Sequence, residues 1–239
     1  MRDRRRVLSR AAAREVYDGF ARTGHIGGKD AGSGYGGPAV SALISMALLA
    51  EASTVFEFGC GQAKLAGLVL PQYPGLSSWR AVDQSPLMCE RARERARPFG
   101  ARFAVEHLPS GDPAAATLPA APVDRFISTY VLDLLSEDDM LRVLELARRA
   151  LHPERGLLLL SGITWGWRDS PRTCLTTALW SLVYRVKPRV VGGCRPQRLE
   201  PYLKAKGWTV VRTARTRPTG FPWMMSEVIC ARPPPPPPP

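Results

Sequence analysis

The residues best suited to chemistry form one short run, Val55-Phe56-Glu57-Phe58-Gly59-Cys60-Gly61-Gln62-Ala63. An apolar stretch of strand-forming residues meets a G-x-G turn, and a helical pattern follows it. Glycines in such a turn let the backbone reverse sharply and let a ligand lie against bare main chain. Three neighbours narrow the ligand. Lys64 stands where a dinucleotide fingerprint would have its third glycine, which disfavours a turn wrapped around a pyrophosphate. Glu57, two residues before the first glycine, suits a cationic ligand and would repel a phosphate. Asp83 ends the next apolar run, 22 residues after Gly61, where a carboxylate can accept hydrogen bonds from both hydroxyls of a ribose. Together these features describe a nucleoside-like ligand without phosphates.

Proton-transfer candidates are few. Tyr130 and Asp133 follow a predicted strand at 125–129 and are the positional candidates for a general base. The alternatives are that Tyr130 only walls the ligand and that Asp133 only caps a turn. His25 lies in a glycine-rich loop and could reach the mouth of a site, or could be an exposed histidine without a role.

The run E-x-G-x-G-x-A over residues 57–63 resembles the first motif of class I S-adenosylmethionine-dependent methyltransferases, with Ala63 replacing the last glycine. The resemblance implies a cofactor, S-adenosyl-L-methionine, held by Glu57, Gly59, Cys60, Gly61, Asp83, Gln84, Asp112, Thr129 and Tyr130. It sets Gly59 and Gly61 along the methionine part, Asp83 on the ribose and Gln84 at the edge of the adenine. The acid that faces the adenine amino group maps to Asp112, with Glu106 as its rival. Residues 123–133 resemble the fourth motif and bring Thr129 and Tyr130 near the sulfonium. The resemblance spans about 55–232, and Tyr17-Asp18-Gly19-Phe20 is similar to the N-terminal helix of small-molecule members.

The elements that must position these residues follow from periodicity. Strand patterns occupy 54–58, 79–82, 101–105, 125–129 and 156–161, and helical patterns fill 62–70, 86–97 and 137–151 between them. Ser85 before Pro86, and Ser136 followed by Asp139, mark two helix starts. A helix at 10–22, a loop at 24–38 with seven glycines and an apolar helix at 39–50 precede the first strand. A helix near 196–206 and two strands, 208–213 and 227–231, joined by a loop at 214–226, come last. The expected fold is therefore α/β and Rossmann-like. It has a seven-stranded, mostly parallel sheet, a C-terminal antiparallel hairpin and helices on both faces. Residues 1–50 read as a helical cap and loop belonging to the same domain, 51–232 as the methyltransferase domain, and 233–239 as a disordered polyproline tail.

Composition limits the remaining choices. The net charge is +12 and 28 of the 33 basic residues are arginine, clustered at Arg4, Arg5 and Arg6, at Arg91, Arg93, Arg95 and Arg97, and at Arg148 and Arg149. These clusters are scattered instead of lining one element, so nucleic acid ranks behind a small molecule and a protein side chain as acceptor. Ser128-Thr129-Tyr130 contains no proline, unlike the motif usual in amino methyltransferases of nucleic acids, and no Pro-Cys pair occurs. Five dispersed cysteines and three isolated histidines offer neither a zinc spacing nor a disulfide framework. No apolar run reaches about 18 residues, so no membrane span is expected. The expectation is a cytoplasmic monomer or homodimer, with organelle import through the Arg-rich N-terminus as the alternative. Trp165, Trp167, Trp180, Trp223, Met224 and Met225 suggest a small apolar or aromatic acceptor, although Trp180 suits core packing better. The alternatives are a protein or RNA methyltransferase, or a non-catalytic subunit that binds the cofactor.

Overall fold

A computed structural model describes residues 7–23, 36–165, 171–217 and 224–235. Its seven strands are β1 (Thr54–Phe58), β2 (Ser78–Asp83), β3 (Phe103–His107), β4 (Arg125–Thr129), β5 (Leu157–Thr164), β6 (Thr209–Thr216) and β7 (Met225–Arg232). They form one sheet in the order β3-β2-β1-β4-β5-β7-β6. The first five are parallel, and β7 runs antiparallel between β5 and β6. This is the Rossmann-like arrangement expected from the alternating strand and helix patterns. β1 pairs with β2 on one side and β4 on the other, so the chain winds away from β1 in both directions. In open sheets of this kind the crevice lies beyond the carboxyl ends of the strands at that reversal.

Among the described residues, seven α-helices surround the sheet: α1 (Arg10–Thr23), α2 (Gly36–Met46), α3 (Lys64–Val69), α4 (Pro86–Ala96), α5 (Glu137–Ala150), α6 (Pro171–Val186) and α7 (Glu200–Ala205). The Ser85 hydroxyl caps α4 by accepting from the Met88 amide at 3.0 Å, and Pro86 fills the first turn, where no amide donor is needed. Ser136 caps α5 in the same way through Asp139. Acids in the first turn of α5 and Arg148 and Arg149 in its last turn complement the helix dipole. The predicted helix at 196–206 is shorter than expected. Pro201 lies in the first turn of α7, and Pro196 keeps the approach to it non-helical. The predicted loop at 214–226 is also shorter, because β6 continues to Thr216 and β7 begins at Met225.

Apolar residues cover both faces of the sheet. On one face Val55, Trp79 and Ile127 meet Leu43, Leu65 and Val69 from α2 and α3. On the other, Phe56 and Phe126 stack at 5.3 Å between ring centres and meet Met140, Val143 and Leu144 of α5. Asp124 ties the start of β4 to that of β1. Its carboxylate accepts from the Ser53 and Thr54 amides at 2.9 and 3.2 Å and pairs with Arg155 at 2.9 Å. Arg125 is buried, and its guanidinium donates to the Ala47 and Leu48 carbonyls that follow α2. Among the described residues no helix is long and apolar enough to cross a membrane.

Candidate active site

The turn after β1 is built from left-handed backbone. Gly59, Gly61 and Ala63 have φ of 76°, 54° and 53°. The Gly59 and Cys60 amides donate to the Val82 carbonyl at 2.8 and 3.2 Å, which anchors the turn on β2. A Cβ on Gly59 would collide with the Val131 side chain, so only glycine fits there. At Gly61 a Cβ would meet nothing within 4 Å, which leaves the main chain bare toward the crevice. The Gly61 amide donates to Asp83 at 2.8 Å, and the Ser85 amide donates to its other oxygen at 2.9 Å. These two bonds hold the Asp83 carboxylate at the crevice wall. Sequence spacing had brought Asp83 to the turn but had not shown this direct link.

A cavity of about 450 Å3 opens beyond these strand ends and includes Glu57, Gly59, Cys60, Gly61, Asp83, Gln84, Thr129 and Tyr130 in its wall. Eight of the nine sequence-derived cofactor positions therefore come together. Glu57 is only 1% exposed. Burial pushes its carboxyl up to about 8, opposed by the Trp79 indole N–H that donates to it at 2.9 Å and aided by the Asp83 charge. Burial also pushes the Cys60 thiol up, which leaves it a small apolar wall group. Lys64 lies at the same wall, and burial, then nearby Arg95, lowers its pKa.

The ninth position, Asp112, lies elsewhere. Its carboxylate accepts from the Ala114 amide at 3.0 Å and pairs with Arg142 at 3.0 Å and Arg10 at 3.4 Å, outside the cavity wall. Its rival Glu106 accepts from the Thr117 hydroxyl at 2.8 Å and is also outside the wall. Gln84, Met88, Leu108 and Gly111 line that end instead. The two base candidates also separate. Tyr130 stands in the wall with φ of 54°, its hydroxyl 2.8 Å from that of Ser226, and burial pushes its pKa up. Asp133 is buried behind the wall, where it accepts from the Ile163 amide at 3.4 Å.

The acceptor wall expected from tryptophan and methionine is not part of this cavity. Trp165 borders a separate open depression with Pro196, Arg198 and Tyr202. The Trp180 indole donates to the Cys194 carbonyl at 2.9 Å. Met224 and Met225 are buried at the start of β7, because that strand is covered on both faces. His25, Trp167 and Trp223 lie outside the described residues.

The missing side of the cavity comes from α1 and the residues before it. Val7, Leu8, Arg10, Ala13 and Tyr17 face inward, and Val40 of α2 and Leu134 join them. Polar contacts hold α1 in place. Arg10 pairs with Asp139 at 2.6 Å, the Ser85 hydroxyl donates to Asp18, and Arg189 pairs with Glu15 at 2.9 Å. The sequence pattern marks a helix at 10–22 but not these anchors, whose partners are 67 to 174 residues away.

Comparison with known proteins now bears on the site. A family model described as a methyltransferase domain matches residues 55–154. The matched stretch is a methyltransferase domain, and the cofactor it implies is S-adenosylmethionine. A search of curated proteins found no match to this sequence. Among solved structures, the [4+2]-cyclase SpnF has a TM-score of 0.69 at 14% identity, over 97% of this chain and 99% of its own. The N-methyltransferase NodS from Bradyrhizobium japonicum WM9, in complex with S-adenosyl-L-homocysteine, has a TM-score of 0.66 at 15% identity, over 92% and 98%. An O-methyltransferase family protein from Burkholderia thailandensis has a TM-score of 0.63 at 18% identity, over 94% of this chain and 61% of its own. At these identities the likeness is one of fold.

Proposed function

We propose that this domain methylates a small, apolar or aromatic molecule bound between the glycine turn and α1. The observation that carries the reading is the composition of this cavity. Its inner half has the bare glycine main chain and two carboxylates, and its outer half has the apolar side chains Val7, Leu8, Ala13, Tyr17, Val40 and Leu134. The inner half fits the cofactor. Gly59 admits no side chain, Gly61 presents open main chain, and Glu57 is a buried acid whose ionised form a bound cation would stabilise. When bound, the cofactor supplies a methyl group on a positively charged sulfur.

The protein's own part is positioning. In this reading Asp83 accepts from the ribose hydroxyls and Gln84 and Gly111 border the adenine. Thr129 and Tyr130, at the end of β4, would border the sulfonium. Holding donor and acceptor in line can supply much of the rate. Neither candidate base is poised to remove a proton near neutral pH. The Tyr130 hydroxyl holds its proton more firmly than usual, and Asp133 is behind the wall. The reading therefore favours an acceptor whose lone pair is already available, such as an amine or an ionised oxygen.

A second reading is supported by the fit to a [4+2]-cyclase over nearly the whole chain. In it the domain binds the cofactor without transferring its methyl group. Titration calorimetry with S-adenosylmethionine and S-adenosylhomocysteine, followed by transfer of labelled methyl to a panel of apolar amines and phenols, separates the two. Binding with transfer supports the first reading. Binding without transfer to any acceptor supports the second, and no binding at high micromolar concentration overturns both.

A further inference from the structure

Among the described residues, one helix face is left exposed. α6 turns Thr173, Thr177 and Tyr184 into the body, where all three are buried. Its opposite face carries Leu175, Leu179, Leu182 and Val186, exposed to 72, 58, 55 and 69%. Steps of four, three and four residues align these four side chains along one outer stripe. The stripe continues into the tight turn Pro188–Val191, where Val190 is 71% exposed. Contiguous exposed apolar surface of this kind marks an interaction site.

The surrounding charge selects the partner. Between residues 171 and 199 the sequence holds six arginines and lysines and no aspartate or glutamate. Arg172 lies at one end of the stripe and Arg185 and Lys187 at the other, all exposed. A second copy of the chain is a poor occupant. Arg172 flanks the first turn of α6 and Arg185 its last, with no acid between them. Either orientation of two such helices sets arginine against arginine. A partner helix is also a poor occupant, because α6 breaks at Lys187, with φ of −139°, before the stripe reaches Val190. A flat surface needs no helical continuity.

We propose that α6 and the turn after it rest on an anionic lipid surface. Leu175, Leu179, Leu182, Val186 and Val190 enter the acyl boundary while Arg172, Arg185 and Lys187 meet lipid phosphates. Apolar burial and attraction to anionic headgroups act together in such interfacial helices. The face adjoins the α1 side of the cavity. A side chain at Gly193 would clash with Leu8, a cavity residue, and Gly192 lies against Phe20 of α1. This inference goes beyond methyl transfer and does not depend on it.

Co-sedimentation of the full chain with vesicles tests it, without cofactor or acceptor. The expected result is binding to mixed phosphatidylcholine and phosphatidylglycerol vesicles, weakened by salt, and little binding to phosphatidylcholine alone. The double variant Leu175→Ser/Leu182→Ser keeps every charge and should lose binding by roughly tenfold or more. Arg172→Glu/Arg185→Glu keeps the apolar stripe and should lose binding to a similar extent. Circular dichroism should show both variants folded, since all four side chains are exposed. Three results would each overturn the proposal: no binding to anionic vesicles, unchanged binding by the leucine variant, or a wild-type dimer in sedimentation equilibrium that the leucine variant dissociates.

Discussion

Glu57 offers the sharpest test of how the cavity holds its ligand. A carboxyl pushed up to about 8 by burial is mostly protonated at neutral pH when the cavity holds no cation. About one-tenth is ionised at pH 7 and about one-hundredth at pH 6. If the cationic cofactor binds the ionised form, its apparent dissociation constant scales inversely with that fraction. Affinity should therefore rise about tenfold, or about 1.4 kcal/mol, from pH 6 to pH 7. The range stays below the cofactor's own ammonium, which titrates near about 8. Binding at pH 7 should release close to one proton, which calorimetry reads by repeating the titration in buffers of different ionisation enthalpy. Glu57→Gln keeps an acceptor for the Trp79 indole but has no proton to release, so its affinity should be flat over this range. Flat affinity and no proton release in the wild type would refute the assignment of Glu57 to the cation.

The same residue makes a prediction about stability that needs no ligand. Its carboxyl pKa is raised from 4.5 to about 8 on folding, so the unfolded chain loses the proton first. The stability due to the neutral form is complete below pH 4.5 and is lost as pH rises toward about 8. Glu57→Gln should match the wild type in Tm near pH 4.5 and exceed it near pH 8. A few kcal/mol of relieved penalty corresponds to several degrees in a chain of this size. Equal melting temperatures at pH 8 would show that Glu57 is ionised and compensated in the folded protein.

Two further perturbations test the rest of the cavity. Asp83→Ala should weaken S-adenosylmethionine binding by about 1.5–3 kcal/mol through lost charge-assisted hydrogen bonds, and unchanged affinity in calorimetry would misplace the ribose. Arg10→Ala removes the pairing of α1 with Asp139 and Asp112, so amides of residues 10–23 should exchange faster with solvent while the strands do not change. Uniform exchange across the molecule would show that α1 is held by its apolar face alone.

What could be read from sequence, and what could not, follows the range of the interactions. The turn at 57–63 and the acid at 83 were legible because backbone chemistry ties them to local spacing: glycine at positive φ, a strand before it, a carboxylate at the next strand's end. The two serine caps were legible for the same reason. Asp112 was different. Its position in the chain suits an adenine-facing acid, but Arg10 and Arg142 meet it only through tertiary packing. Met224 and Met225 looked like adaptable walls of a pocket. Their burial depends on β7 being inserted between β5 and β6, a pairing that no local pattern encodes. The contribution of α1 to the cavity was hidden similarly, since Val7, Leu8 and Ala13 gain a role only when the helix crosses the strand ends.

The placement of charge around the cavity constrains the acceptor more than its shape does. Val7, Leu8, Ala13, Val40 and Leu134 offer an incoming ion little compensation, Asp139 in the same wall is paired with Arg10, and Glu57 would be engaged by the cofactor. Tyr130 is not available as a base, because burial raises its pKa and keeps its hydroxyl protonated. An acceptor that enters as a cation would face both desolvation and the positive sulfur, and one that needs deprotonation would depend on Lys64, since Asp139 is paired with Arg10 and Glu57 would meet the cofactor. A neutral amine or a weakly acidic hydroxyl that ionises in solution satisfies both conditions. The rate of methyl transfer should then follow the acceptor's own ionisation across pH, with no enzyme group contributing a second inflection above that of Glu57. A bell-shaped profile that stays the same when acceptors of different pKa are exchanged would show that an enzyme base, Lys64 first among the wall residues, takes part.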